Sequence, residues 1–308
     1  MAKVAFLFPG QGSQFVGMGA ELAAAFTEAR EVFQEADDVL GFSLSRLCFE
    51  GPEEELRLTA NTQPALLTVS TAVARILAAQ GVQADMMAGH SLGEYSALVA
   101  AGALTFAEGL RLVRIRGQLM QDAVPPGAGT MAAILGLEAD AVQAVCLEAS
   151  TVGIVEPANF NGGGQVVIAG QVAAVEKAME LAKGAGAKRA IPLNVSAPFH
   201  CSLMKPAAEK MAEVLNNALI HNPAVPVVAN VTAQPATDAA AVRQNLILQV
   251  DHPVRWEQSV RYLAEAGVTR YLEIGAGKVL AGLVKKIIKG ADIQSIGEPD
   301  GIQKILAH

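Results

Sequence analysis

Gly89-His90-Ser91-Leu92-Gly93 is the stretch best suited to chemistry. The apolar residues Met86, Met87 and Ala88 run into it, and Glu94 to Leu98 leave it with a helical pattern. Glycine-x-serine-x-glycine between a strand and a helix forms a sharp turn that lifts the serine out of the sheet. The flanking glycines let the backbone fold tightly around it. The helix that follows aims unpaired N–H groups and the positive end of its dipole at the same point. There Ser91 could attack a carbonyl, and the Leu92 N–H could stabilise the oxyanion that forms. The plainer alternative is that Ser91 only caps a helix after a glycine turn.

A serine nucleophile needs a base at neutral pH, and five histidines are available. His90 adjoins Ser91, where the tight turn points the two side chains apart. His221 and His252 stand in His-Asn-Pro and Asp-His-Pro turns and read as surface residues, and His308 is terminal. His200 closes the apolar Pro198-Phe199 segment at an expected junction between two parts of the chain, where a cleft would form. It is the candidate base, against the alternative of a satisfied histidine at a helix start. No acidic third member stands out. A carbonyl could hold the other imidazole N–H, and Gln249 is one source of it.

The third chemical residue lies on the helix opened by Thr105-Phe106-Ala107-Glu108, which reads as a capping box. Arg111, Arg114, Gln118, Gln121 and Asp122 share one side of that helix; Leu112, Val113, Leu119 and Met120 share the other. Arg116 falls within the apolar side. Burying an unpaired cation costs several kcal/mol, so either Arg116 pairs with a structural carboxylate or it awaits an anionic ligand. A guanidinium is well shaped to take a carboxylate bidentately.

The surrounding elements alternate between strand and helix. Residues 4–8 read as a buried parallel strand ending at Pro9-Gly10. The Gly10-x-Gly12 loop lacks the third glycine spacing of a dinucleotide fingerprint, since the next glycine is Gly17. Presenting backbone N–H groups to an anion is its better use. A helical pattern runs to about residue 40, and helices are expected at 53–58, 64–80 and 91–101. From Pro125-Pro126-Gly127 the order becomes strand 130–135, helix 138–149, strand 153–160, a turn over 161–164, strand 165–169, helix 172–183 and strand 188–193. That βαββαβ order is a ferredoxin-like unit. It predicts an inserted small subdomain at 127–194, with 1–126 and 195–308 forming the large domain. The large domain then continues with a helix from Leu203, a strand at 225–231, helices at 237–250 and 255–266, a strand at 269–274 and a basic amphipathic helix at 278–289. The fold class is α/β: a hydrolase-like large domain with a mostly parallel sheet, plus the ferredoxin-like insert. Sites in such sheets lie at the carboxyl ends of strands, where Ser91 and the Gln11 loop both fall.

Composition narrows the function classes. The chain has 308 residues, 52% hydrophobic, with 23 basic and 30 acidic side chains for a net charge of −7. That acidic balance argues against nucleic acid as a partner. Three scattered cysteines, Cys48, Cys146 and Cys201, form neither a disulfide framework nor a zinc site and fit a reducing cytoplasm. Residues 1–8 carry one charge and too short an apolar run for a signal peptide, and no run is long enough to span a bilayer. A soluble protein without membrane attachment is expected.

Phe8-Pro9-Gly10-Gln11-Gly12-Ser13-Gln14, Gly89-His90-Ser91-Leu92-Gly93-Glu94, Arg116 within Arg-Ile-Arg-Gly-Gln-Leu-Met, Gln165-Val166-Val167-Ile168-Ala169-Gly170 and Pro198-Phe199-His200 stand in that order. With them the chain resembles, over nearly its whole length, the malonyl-CoA:acyl carrier protein transacylases of bacterial type II fatty acid synthesis. The resemblance implies Ser91 as the acylated nucleophile, His200 as its base and Arg116 as the ligand of the malonyl carboxylate. It implies an oxyanion hole from the N–H groups of Gln11 and Leu92, and the Gln249 carbonyl as the group that orients His200. Phe199 before His200 resembles the malonyl-selective members. Malonyl-CoA and acyl carrier protein are the implied partners of a monomer. No metal or cofactor is implied beyond the phosphopantetheine that the acceptor carries. Asn159-Phe160-Asn161-Gly162-Gly163-Gly164 is more glycine-rich than the family pattern. Alternatives are a polyketide loading acyltransferase, a malonate decarboxylase transferase subunit, a serine hydrolase of similar topology, and a nucleotide-binding module using the Gly10 loop. Lys285, Lys286 and Lys289 are candidates for meeting the acidic carrier protein, against the alternative of a solvated helix face.

Overall fold

The structure, a computed structural model, describes residues 2–195 and 197–307. Ser196, at the expected return to the large domain, and the terminal His308 lie outside the described residues. The strands are β1 (Lys3–Phe8), β2 (Met86–Gly89), β3 (Gly129–Leu135), β4 (Val155–Gly162), β5 (Gln165–Gln171), β6 (Arg189–Pro192), β7 (Val227–Val228), β8 (Pro235–Ala236), β9 (Val268–Ile274) and β10 (Asp292–Ile296).

They form two sheets. The larger has the order β10-β9-β1-β2-β7-β8, and every pairing in it is parallel except the edge pair of β7 with β8. Ala5 to Phe8 in β1 are all buried, as a central strand covered by helices on both faces requires. The smaller sheet is antiparallel in the order β4-β5-β3-β6, with the Ala139–Ala149 and Val172–Gly184 helices between its strands. That order is the ferredoxin-like one expected from βαββαβ. The smaller sheet meets the rest of the chain edge-on: Phe160 N–H donates to the Val254 carbonyl at 2.9 Å, and Val254 N–H to the Ala158 carbonyl at 2.9 Å.

Several elements differ from the sequence reading. The strand expected at 225–231 is only Val227–Val228. Ala229 N–H bonds the Gln234 carbonyl and Ala233 N–H the Ala229 carbonyl, closing a turn that returns as β8. β4 continues through Gly162, which leaves Gly163 and Gly164 as the turn; both take left-handed φ, 62° and 71°. The glycine run is therefore what lets β4 reverse directly into β5. The expected 64–80 helix starts earlier, at Thr59, and carries Pro64 inside it. Proline cannot donate to the carbonyl four residues back, and Arg114 Nη1 takes that place, donating to the Ala60 carbonyl at 2.7 Å. β10 and the Pro299–Leu306 helix, beyond the last element read from sequence, complete the larger sheet and cover its edge.

Candidate active site

Ser91 stands between β2 and the Leu92–Ala100 helix with φ 51° and ψ −110°, a strained conformation for a residue with a Cβ. Close packing imposes it. A Cβ on Gly89 would collide with the backbone of Gly93, and a Cβ on Gly93 with the Phe8 carbonyl at the end of β1. Gly89 thus lets the turn close on itself, and Gly93 lets it pack against the end of the first strand. Gly10 lies in the same way against the His90 carbonyl, which brings the Gln11 loop beside the turn. Asn230 locks the turn from the other side. Its Oδ1 accepts the Ser91 N–H at 2.7 Å and its Nδ2 donates to the Gly89 carbonyl at 2.6 Å.

The side chains expected to act together do meet. Ser91 Oγ lies 2.7 Å from His200 Nε2, and His200 Nδ1 lies 2.9 Å from the Gln249 carbonyl. A carbonyl only accepts, so Nδ1 carries the proton and the neutral ring's Nε2 is left to accept from the Ser91 hydroxyl. Burial first, and then the Arg116 charge, lower the His200 pKa to about 3, which keeps the ring a neutral acceptor near pH 7. His200 also has a positive φ, 60°.

Arg116 is 1% exposed. Its Nη2 donates to Ser91 Oγ at 3.2 Å and to Gln249 Oε1 at 2.8 Å, and its Nη1 donates to Gln63 Oε1 at 2.9 Å. Its plane centre sits 5.6 Å from the Tyr95 ring, and Nε has no partner among the described residues. The guanidinium is thus held by neutral amides and not by a carboxylate, and burial lowers its pKa. Thr105 does cap this helix, accepting the Glu108 N–H at 3.1 Å. Leu92 is the first residue of its helix, where a backbone N–H has no intrahelical acceptor. The Gln11 side chain donates to Thr59 Oγ1 at 3.3 Å, and Gln11 lines the cleft beside the turn.

That cleft, about 450 Å³, has Gln11, His90 and Leu280 on one wall and Asn161, Val167 and Leu193 on the other. It runs between the two sheets beside the turn, and Ser91, Arg116 and His200 are not among the residues that line it. His90 points away from Ser91, and its Nε2 donates to Asn161 Oδ1 at 2.8 Å. His221 and His252 are exposed, and Cys48, Cys146 and Cys201 are buried free thiols. Among the described residues no cluster of histidine, cysteine and carboxylates could hold a metal, and no helix is long and apolar enough to cross a membrane.

Three buried polar residues of the site escaped the sequence reading. Gln63 lies in the helical turn before Pro64, where the proline pointed to a helix start. Asn230 follows β7 in what reads as a longer strand. Glu94 stands three residues after Ser91, the spacing of a capping box, yet Ser91 makes no side-chain cap and Glu94 faces inward. For Asn230 the available signal was a polar residue amid apolar neighbours; Gln63, in Thr59-Ala60-Asn61-Thr62-Gln63-Pro64, offered none.

The acyl transferase domain family matches residues 5–299. The malonyl CoA-acyl carrier protein transacylase of Bacillus subtilis is 53% identical over 304 residues, covering 98% of this chain and 96% of that relative. An acyl carrier protein S-malonyltransferase from Vibrio cholerae shares the structure with a TM-score of 0.96 at 47% identity, covering 99% of this chain and 100% of that one. A malonyl-transacylase solved in complex with its type II polyketide synthase acyl-carrier protein gives 0.97 at 48% identity, covering 99% of each chain.

Proposed function

The chain belongs to the acyl transferase family, among the malonyl CoA-acyl carrier protein transacylases, and we propose how its residues carry out that transfer. The enzyme moves a malonyl group from malonyl-CoA to the phosphopantetheine thiol of acyl carrier protein, supplying fatty acid elongation. One observation carries the assignment of roles: a buried arginine whose hydrogen bonds among the described residues go to amides and a hydroxyl, with Nη2 3.2 Å from the serine oxygen. A cation so placed can bind a free carboxylate while the other end of a short diacid sits on Ser91.

In the first half-reaction Ser91 Oγ attacks the thioester carbonyl and passes its proton to His200 Nε2. The N–H groups of Leu92 and Gln11 receive the oxyanion. Collapse of the adduct breaks the carbon–sulfur bond, and the departing CoA sulfur takes the proton from His200. In the second half-reaction the carrier's thiol gives its proton to His200 and attacks the malonyl-serine ester; collapse returns the proton to Ser91 Oγ. Gln249 orients the base through its carbonyl, and Arg116 holds the malonyl carboxylate throughout. Side chains and backbone groups of this chain supply each of these roles, so the proposed transfer needs no metal and no cofactor beyond the carrier's own arm.

The division into a large domain, 1–126 and 195–308, and a small subdomain, 127–194, rests on the two sheets and the cleft between them. Lys285 and Lys286 are exposed on the Val279–Ile287 helix, whose Leu280 and Leu283 line the cleft, with Lys289 just beyond it. They form the proposed landing site for an acidic carrier. We place the enzyme in the cytoplasm as a monomer. Incubating the purified chain with malonyl-CoA and holo acyl carrier protein tests the whole reading: malonyl carrier protein should form, with little free malonate before the acceptor is added. Steady malonate release without acceptor would make it a hydrolase. Parallel assays with fatty acid and polyketide carriers decide between the two, since a solved relative holds a polyketide carrier.

A further inference from the structure

Glu94 is a carboxylate that the chemistry above leaves unused. It is 3% exposed, and among the described residues its Oε2 accepts from two amides, Asn230 N–H at 3.0 Å and Gln249 Nε2 at 2.7 Å. The neighbouring cation, Arg116, lies one amide away: the same Gln249 side chain accepts the guanidinium through Oε1 at 2.8 Å. A charged donor on Oε1 and a carboxylate on Nε2 fix which way that amide points. The guanidinium and the carboxylate are therefore the two ends of one relay.

We propose that Glu94 is the resident counter-charge of Arg116, relayed through the Gln249 amide, and that it takes up a proton when the substrate's malonyl carboxylate docks on the guanidinium. This rests on the malonyl reading of Arg116. One buried cation does not balance two buried carboxylates, and once the malonyl charge offsets the guanidinium, burial of Glu94 is opposed by less attraction and favours its protonated form. The malonyl group contacts the guanidinium directly, whereas Glu94 reaches it only through Gln249, so Glu94 gives way. Burial already raises Glu94 to about 7, against the hydrogen bonds from Asn230 and Gln249 and the attraction of Arg116. A proton on Oε1 leaves Oε2 free to accept from both amides, so the frame around Ser91 survives the change. The charged or titratable groups acting on Glu94 are Arg116 and the Tyr95 phenol, which burial keeps neutral. His200 lies beyond Gln249 and is the rival proton acceptor, because Arg116 helps to depress it.

The test is titration calorimetry of Ser91→Ala protein, which binds without turnover. Malonyl-CoA and acetyl-CoA are compared at pH 7 in PIPES and imidazole, two buffers of different ionisation enthalpy. Malonyl-CoA should take up roughly half a proton per site more than acetyl-CoA, and its affinity should weaken as pH rises through 7. Adding Glu94→Gln should abolish the excess uptake while malonyl-CoA still binds more tightly than acetyl-CoA. No excess uptake in the parent protein, or an excess that survives Glu94→Gln, overturns the proposal. Should that double variant fail to fold, Ser91→Ala/His200→Gln serves: retained uptake supports Glu94, and lost uptake assigns the proton to His200 and overturns it. If malonyl-CoA binds no more tightly than acetyl-CoA, the reading of Arg116 itself has failed, which is a different result from tight binding without proton uptake.

Discussion

Arg116 Nη2 donates to Ser91 Oγ across 3.2 Å, so the guanidinium offered to the substrate's free carboxylate also touches the nucleophile. The two ends of the acyl group must then be close together. In a malonyl group a single methylene separates the carboxylate from the thioester carbonyl, and the site is short enough to hold both.

Removing that cation should separate the two acyl groups. Arg116→Ala is expected to weaken malonyl transfer by about 3 kcal/mol or more, through loss of a desolvated charge pair, while acetyl transfer is spared or improved. Measuring kcat/KM with malonyl-CoA and acetyl-CoA checks it. Equal loss with both would make Arg116 structural.

The turn that presents Ser91 depends on an amide from another part of the chain. Asn230→Ala leaves the Ser91 N–H and the Gly89 carbonyl without their partners. Each buried bond lost this way costs about 1–3 kcal/mol. A lower unfolding free energy in urea is expected, together with a slower acylation step in single-turnover experiments.

Gly93→Ala tests the packing of the turn on β1. The added methyl meets the Phe8 carbonyl, a backbone atom that cannot rotate aside. The expected cost is about 3 kcal/mol, at the upper end for overpacking, read as a fall in the denaturant midpoint.

The depressed pKa of His200 has two consequences. With the ring titrating near pH 3 in the folded protein, acylation should not fall off around pH 6.5 because of His200; a rate profile between pH 5.5 and 8 measures this. In stability the sign is that of a lowered group. Below about pH 6.5 the unfolded state binds a proton that the folded state refuses, so His200 lowers stability as pH falls from 6.5 toward 3. His200→Gln should flatten that part of the stability–pH curve.

How much of this was legible in the sequence depended on how local each signal was. The strand–turn–helix around Ser91 and the βαββαβ order show in periodicity and glycine positions, because both reflect short-range geometry. Arg116 was visible because a charge on an apolar helix face is an anomaly in one element alone. His200 needed the added idea of a junction between two parts of the chain. Gln63, Glu94 and Asn230 stayed hidden, since their roles exist only once three distant segments converge, and a lone buried amide or carboxyl has no periodic signature. The short β7 and its return as β8 were missed because Val225 to Val231 is apolar enough for a longer strand, while the Ala229–Gln234 turn that ends it is set by backbone bonding.

The most direct measurement is the intact mass of the protein after brief exposure to malonyl-CoA without acceptor, followed by peptide mapping. A single malonyl adduct on Ser91 is expected in the wild type and none in Ser91→Ala. An adduct that persists in Ser91→Ala, or one mapped to any other residue, would contradict Ser91 as the group that carries the acyl chain.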